Sequence, residues 1–181
     1  ADSPVAERRL VSVLFADLVG FTTLSEGRDP EAVRELLSEY FAIATDVLGR
    51  YGGTVEKFIG DAVMAIWGAP TAHEDDAERA VRAALELVDA VRVLGPGIQA
   101  RAAVLTGEAA VTIGARDQGI VAGDLPNTAA RLQSVAPAGT VLVGERTKIA
   151  TSNGIAQISR RDAVVSGRGT PRIKYLTGKI I

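Results

Sequence analysis

The sequence predicts an α+β fold, in which one mixed β-sheet carries helices packed mainly on one face. Strand-like apolar segments alternate with amphipathic helical segments along the 181 residues, and hairpins occur among the strands. This alternation is typical of a layered sheet-and-helix domain. Hydrophobic residues make up 47% of the chain and charged residues 23%, which suffices for one globular core. We therefore expect residues 1–181 to form one domain.

The first elements are a buried strand and a long helix. Residues 9–16 are apolar and β-branched, which predicts a strand buried on both faces. Asp29 and Pro30 then supply an N-cap and a first helical residue. Apolar residues recur at three and four positions from there to Gly52-Gly53, which indicates one helix face and its end. That stripe comprises Val33, Leu36, Leu37, Tyr40, Phe41, Ala44, Val47, Leu48 and Tyr51.

A hairpin follows the helix. Residues 54–59 and 62–67 are strand-like and are separated by Gly60 and Asp61, a typical two-residue turn. The hairpin therefore places Asp61 at its tip. The remaining predicted elements are a helix from about 74 to 94, paired strands 98–106 and 109–114 meeting at Thr106-Gly107, a strand 120–123, a helix capped by Asp124 and running to Pro137, a strand 140–143, a helix 145–150, and strands 155–165 and 172–177.

Composition excludes several classes of function and location. A net charge of −2 and a pI near 5.5 give no support to a nucleic-acid-binding surface. The chain has no cysteine, so it has neither disulfides nor thiolate chemistry. No segment resembles a membrane span or signal peptide. From the ends, Ala1 and Ile181, we expect a domain excised from a longer protein. We expect it to be cytoplasmic, alone or as the cytosolic part of a membrane-attached protein.

Two aspartates carry the strongest functional signal. Asp17 and Asp61 each close an apolar segment where a strand should end, and each has glycine nearby. Aspartate is also favoured at helix caps and turns, which is the alternative interpretation. A carboxylate is costly to bury unless it is paired or binds a metal, and Mg²⁺ takes carboxylates together with substrate phosphates. The pair therefore indicates a nucleotide-handling enzyme with a divalent-cation site.

Other segments have both a functional and an ordinary interpretation. The turn 18–22 follows a strand and leads toward a helix, so its N–H groups form either an anion-binding nest or a common connection. Asn127 and Arg131 share a helix face, where a guanidinium can stabilise phosphoryl charge or simply lie at the surface. Lys57 can extend to solvent or donate to a purine nitrogen. We assign no catalytic role to His73, the only histidine.

Three blocks resemble the catalytic domain of class III adenylyl/guanylyl cyclases. They are the segments 14–22, 56–65 and 121–132. Their order and spacing, taken together, are specific to this family. The resemblance extends from about residue 9 to residue 177. The residues within these segments are most similar to those of bacterial and soluble-type members of the family. The resemblance implies a ferredoxin-like, palm-type core and a head-to-tail homodimer with composite active sites at its interface.

The resemblance also implies roles for individual residues. Asp17 and Asp61, with the Leu18 carbonyl, would hold two Mg²⁺ or Mn²⁺ ions. The turn containing Gly20, Phe21 and Thr22 would bind the β- and γ-phosphates.

The remaining roles concern the sugar, the α-phosphate and the base. Asn127 would orient the ribose and Arg131 would meet the charge on the α-phosphate, both from the second protomer. Lys57 corresponds to the lysine that selects adenine.

Two positions depart from the family pattern. Ile120 stands where adenylyl cyclases usually carry Asp or Thr to read the base, and isoleucine accepts no hydrogen bond from the adenine amino group. Base selection would then rest on Lys57 and backbone carbonyls. Arg168 replaces the family's phosphate-binding lysine and keeps its charge on a less flexible side chain.

The resemblance implies an adenylyl cyclase that binds ATP. The ribose 3′-hydroxyl would attack the α-phosphate in line, with assistance from two metal ions, and expel pyrophosphate. Ile120 motivates a guanylyl or dual-purine cyclase as the alternative enzyme. The alternative of another class is a weakly active, nucleotide-binding dimerisation module in a longer regulatory protein with flanking domains.

Overall fold

One mixed sheet organises the structure, a computed structural model that describes residues 5–113, 121–151 and 173–175. Its strands in chain order are β1 (Val5–Leu18), β2 (Thr54–Ile59), β3 (Ala62–Trp67), β4 (Ala100–Ile113), β5 (Val121–Ala122), β6 (Val141–Val143) and β7 (Ile173–Tyr175). Within the described residues their order across the sheet is β2-β3-β1-β4-β6-β7, and β5 pairs with β4. The β4–β6 and β6–β7 pairs are parallel and the others antiparallel.

Helices cover both faces of this sheet unequally. They are α1 (Phe21–Glu26), α2 (Pro30–Arg50), α3 (Asp76–Ala90), α4 (Asp124–Ser134) and α5 (Glu145–Ala150). The two longest, α2 and α3, bury their apolar stripes against one face of the sheet. The shorter α4 packs on the opposite face through Ala129 and Leu132. None of the helices in the described ranges is long and apolar enough to cross a membrane.

The alternation of β1 explains how one strand serves both layers. Leu14 and Ala16 belong to the core beneath α2 and α3, whereas Val13 and Phe15 belong to the core beneath α4. Neighbouring residues of a strand point to opposite faces, so a strand buried on both sides is apolar throughout. The strand predicted over 9–16 is confirmed, and it is longer than predicted at both ends.

The first helix and hairpin are also confirmed. The Asp29 carboxylate accepts a hydrogen bond from the Glu31 N–H at 2.8 Å, and Pro30 is the first helical residue. After α2 the chain turns into the β2–β3 hairpin, whose strands have the predicted bounds. Gly60 takes a left-handed φ of 60° in the tight turn before Asp61, a conformation that suits glycine.

Two local predictions are wrong. Residues 98–114 were expected as two strands meeting at Thr106-Gly107, but β4 runs unbroken, with Gly107 paired to Val11 of β1. Because the partner strand continues through this point, the ladder outweighs the turn preference of glycine. The N-cap of α4 is Gly123, and Asp124 lies one residue later in its first turn. The strand expected at 155–165 falls outside the described residues.

Candidate active site

Asp17 lies near the end of β1 and is held by an arginine of the adjacent strand. Arg101 stands directly opposite Asp17 in the β1–β4 register. Its Nε donates to Asp17 Oδ1 at 2.8 Å and its Nη2 donates to Oδ2 at 3.3 Å, which forms a bidentate ion pair. The Asp17 side chain is 16% exposed and the Arg101 side chain 24%. The hydrogen bonds to Asp17 raise the pKa of Arg101, so the guanidinium stays charged.

Asp61 reaches the same strand end from the hairpin turn. Its Oδ2 accepts a hydrogen bond from the backbone N–H of Leu18 at 3.0 Å. The structure therefore brings together the two aspartates that the sequence singled out, because Leu18 directly follows Asp17. Burial raises the pKa of the Asp61 carboxyl, the Leu18 N–H opposes this shift, and the charge of Asp17 adds to it.

The donor set at this strand end suits a hard cation. Two carboxylates that repel each other electrostatically lie at one end of β1, with one guanidinium as counter-charge. Carboxylate and carbonyl oxygens are the ligands that Mg²⁺ prefers, and Mg²⁺ commonly uses only one or two carboxylates. Among the described residues no group of three or more His, Cys, Asp or Glu side chains could hold a metal. A cation here would thus need further oxygen ligands from substrate or water.

The turn after β1 leads directly into a short helix that the sequence analysis did not predict. Gly20 adopts a left-handed φ of 67° and precedes α1, which begins at Phe21. Phe21 packs partly buried against the core, while Thr22 is exposed. This turn therefore lies beside Asp17, with Gly20 and Thr22 exposed, while the N–H groups of Leu18 and Val19 donate to Asp61 and to the Gln99 carbonyl.

Lys57 lies in the hairpin strand that ends before Asp61. A register shift between Val55 and Lys57 leaves Glu56 as the extra residue of a β-bulge. After the bulge Lys57 pairs with Met64, which belongs to the core beneath α4. Phe58 points to the opposite face of the sheet, where its ring packs against that of Phe41 with 4.2 Å between the ring centroids. The Lys57 side chain is exposed and makes no hydrogen bond within the described residues.

Asn127 and Arg131 lie on the solvent face of α4, one helical turn apart. Both are exposed, and no hydrogen bond in the described part of the chain joins either side chain to Asp17 or Asp61. The helix end is nevertheless tied to the site, because Arg101 Nη1 donates to the Ser134 carbonyl at 2.7 Å. Ile120 and Arg168, the other predicted site residues, fall outside the described residues.

Sequence reasoning missed Arg101 as a residue of this region. Arg101 carried a weak signal, as a charged residue in an apolar strand, but its partner became visible only with the strand register. Tyr40 belongs to the apolar stripe of α2 and to the core that contains Ala16 and Leu18. Its side chain is fully buried, and its hydroxyl has no hydrogen-bond partner in the described part of the chain. Burial raises the pKa of Tyr40, and the charges of Asp17 and Asp61 raise it further.

Comparison with known families identifies one match across nearly the whole chain. Residues 4–178 match the model of the adenylate and guanylate cyclase catalytic domain. Adenylate cyclase 1 of Rhizobium meliloti (strain 1021) is 40% identical over 141 residues, which cover 72% of this chain and 21% of that protein. The chain spans about a fifth to a third of the length of the curated relatives it matches.

Solved structures of adenylyl and guanylyl cyclases share the fold. The adenylyl cyclase CyaB from P. aeruginosa superimposes with a TM-score of 0.77 at 30% identity, covering 83% of this chain and 84% of that one. The guanylyl cyclase Cya2 superimposes with a TM-score of 0.74 at 33% identity, covering 80% and 79%. The predicted α+β architecture is therefore confirmed, and both substrate classes occur among its neighbours.

Proposed function

This chain belongs to the adenylate and guanylate cyclase catalytic domain family, and from that membership we propose that it converts ATP to 3′,5′-cyclic AMP and pyrophosphate. The observation that carries the proposal is that the Asp61 carboxylate accepts from the Leu18 N–H, directly after Asp17, at the end of β1. The 40% identity to a protein named adenylate cyclase supports ATP as the substrate.

The reaction requires a site that binds a triphosphate and activates a sugar hydroxyl. The ribose 3′-oxygen forms a bond to the α-phosphorus, the bond from that phosphorus to the bridging oxygen breaks, pyrophosphate leaves, and the 3′-hydroxyl proton is lost. Asp17, Asp61 and the Leu18 carbonyl would hold two Mg²⁺ or Mn²⁺ ions. Bound there, the ions would acidify the hydroxyl and neutralise phosphate charge.

Arg101 and the turn 18–22 prepare the chain for this substrate. The bidentate contact with Arg101 fixes the position of both Asp17 carboxylate oxygens. Gly20 is exposed after β1 and has no side chain, which suits binding of the β- and γ-phosphates by the N–H groups of Gly20, Phe21 and Thr22. Arg168 is proposed as a further phosphate contact from the sequence alone.

Adenine selection is proposed to rest on Lys57. The bulge at Glu56 directs Lys57 away from the Phe41–Phe58 stack and leaves its ammonium in solvent, where it can donate to a purine nitrogen. A guanylyl or dual-purine cyclase is the second candidate. Ile120 favours it because isoleucine cannot accept from the adenine amino group, and the similarity to guanylyl cyclase Cya2 is consistent with it.

Asn127 and Arg131 are proposed to act on the substrate held by a second copy of the chain. Both are exposed on α4 and lack an intrachain hydrogen bond to the carboxylate pair in the described residues. A guanidinium on that surface is free to stabilise charge on the α-phosphate across an interface. One chain carries both halves of the site, so a head-to-tail homodimer would own two equivalent sites.

The cyclisation assay tests the proposed activity directly. Purified chain receives ATP with Mg²⁺ or Mn²⁺, and cyclic AMP and pyrophosphate are measured. Asp17→Ala and Asp61→Ala should each abolish turnover with unchanged circular dichroism, because these carboxylates are proposed to hold cations. Asp46→Ala, which removes an exposed aspartate paired with Arg50, is the matched control and should stay active. Activity in either site variant would contradict the metal assignment.

A further inference from the structure

The Arg101 guanidinium is bonded to two different parts of the molecule. Its Nε and Nη2 donate to the two carboxylate oxygens of Asp17 at 2.8 and 3.3 Å, whereas its Nη1 donates to the backbone carbonyl of Ser134 at 2.7 Å. Ser134 is the last residue of α4. A planar guanidinium presents its donors in a fixed fork, so the position of one contact constrains the position of the other. The end of α4 is therefore held at a defined place relative to Asp17.

This contact is a directional restraint on a helix that has few others. The α4 helix begins after Gly123 without a side-chain cap, and it packs on the sheet through the apolar residues Ala129 and Leu132. Across the described ranges, no other hydrogen bond of a side chain connects α4 to another element. Apolar burial is non-directional, so it leaves the helix free to shift slightly along the sheet. The last carbonyls of a helix carry partial negative charge, which makes a guanidinium a suitable restraint there.

The restraint continues from the helix end to Arg131. The Ser134 hydroxyl donates to the Arg131 carbonyl at 2.7 Å, about one helical turn earlier in α4. The Arg131 side chain is exposed, and no described residue forms a hydrogen bond or an ion pair with it. Its place in space therefore depends on the backbone of α4. One continuous chain of hydrogen bonds thus leads from the Asp17 carboxylate through Arg101 and Ser134 to the backbone of Arg131.

We propose that Arg101 is a positioning residue for the active site of a second copy of the chain, because it fixes the helix end that presents Arg131 to the substrate of that copy. The inference rests on the proposed function, since it requires composite sites to which α4 contributes across the interface. A group that stabilises charge developing in the transition state must be placed accurately, and a small displacement lowers the rate. Arg101 thereby serves two sites: it holds Asp17 in its own site and places Arg131 for the neighbouring one.

The ordinary interpretation is that Arg101 only stabilises the fold by capping α4, and mixed dimers with one intact site distinguish the two. The carboxylate subunit carries Arg131→Ala and supplies Asp17 and Asp61. The guanidinium subunit carries Asp61→Ala, which leaves its own Asp17–Arg101 contact in place, and supplies Arg131. Different affinity tags on the two full-length chains allow the mixed dimer to be purified, and its turnover of ATP is measured.

Arg101→Met is then introduced into the guanidinium subunit alone, where Arg101 lies beside the inactive site. The kcat of the intact site should fall by about tenfold, the loss that corresponds to one charge-assisted hydrogen bond. The KM for ATP should change less than about twofold, because the lost interaction acts on the transition state. Arg101→Lys keeps a charged donor without the fixed fork, so it should lower kcat by an intermediate factor of about three. Arg82→Met in the same subunit removes an arginine bonded to Glu78 on α3 and should leave kcat unchanged.

Thermal unfolding of the same subunits separates positioning from capping. An unfolding temperature that falls with Arg101→Met while kcat of the mixed dimer stays unchanged would overturn the proposal, as would a change in KM alone or an equal loss with Arg82→Met. If Arg101→Met does not fold or dimerise, Arg101→Lys decides, and an unchanged kcat with lysine overturns the proposal. A verified mixed dimer that is inactive without any change at Arg101 would contradict the composite site itself, and so the proposed function.

Discussion

Removing the Asp17–Arg101 ion pair should reveal a coupling energy of about 2 kcal/mol in the cation-free chain. One charge-assisted hydrogen bond contributes roughly 1.5–3 kcal/mol. The Nε–Oδ1 contact at 2.8 Å counts fully, whereas the Nη2–Oδ2 contact at 3.3 Å adds little. The Arg101 side chain is 24% exposed and the Asp17 side chain 16%, so solvent screens this ion pair only weakly.

A double-mutant cycle measures this energy. Asp17→Ala, Arg101→Met and the double variant are unfolded in urea with EDTA, and the coupling energy is the non-additive part of the loss. The cycle also cancels the separate bond from Arg101 to the Ser134 carbonyl. In a chain of this size, 2 kcal/mol corresponds to a change of about 4–8 °C in unfolding temperature.

The control cycle uses Glu78→Ala and Arg82→Met on the surface of α3. Arg82 also makes two hydrogen bonds to Glu78, but the Arg82 side chain is 35% exposed and the Glu78 side chain 31%. The coupling energy of this control pair should therefore be about 0.5 kcal/mol. Adding saturating Mg²⁺ should reduce the Asp17–Arg101 coupling, because the cation competes for the same carboxylate, and leave the control unchanged. The reasoning is refuted if the two cycles agree, or if Mg²⁺ does not change the coupling of the site pair.

Two further predictions concern Asp61 and Lys57. The raised pKa of Asp61 means that its contribution to folding is fully present below the unfolded carboxyl pKa and is lost as pH rises through the folded pKa. Without divalent cations, Asp61→Asn should therefore be more stable than wild type at about pH 7 and equally stable at about pH 3. The midpoints of urea unfolding measure this difference. Equal midpoints of variant and wild type at both pH values would contradict burial as the cause of the raised Asp61 pKa. Lys57→Glu should lower the ratio of ATP turnover to GTP turnover by about ten- to a hundredfold. Ile120→Asp should leave this ratio unchanged or raise it, because it adds an acceptor for the adenine amino group. An unaltered ratio in Lys57→Glu would exclude Lys57 as the base-reading residue.

Local signals in the sequence were sufficient where they agreed with the tertiary context. Asp29, Pro30 and the apolar stripe predicted α2, and Gly60-Asp61 between two apolar runs predicted the hairpin. The prediction failed at Gly107, where a turn preference competed with a ladder to β1. That competition depends on how far the partner strand extends, which local sequence does not encode.

The site was predictable in part for a related reason. The aspartates stood out because a carboxylate that ends an apolar strand is costly to bury, so Asp17 and Asp61 as a pair indicated a functional site. The role of Arg101 becomes visible only from the strand register, which places it opposite Asp17 on the adjacent strand.

Subunit complementation tests most directly the central claim, that Asp17 and Asp61 of one chain act with Arg131 of another in a cyclase site. Asp17→Ala and Arg131→Ala should each be inactive alone. Equal mixing with free subunit exchange makes half of the dimers mixed, each with one intact and one doubly altered site, so cyclic AMP production should recover to about a quarter of wild type. Mixtures that stay inactive after verified exchange would contradict the claim.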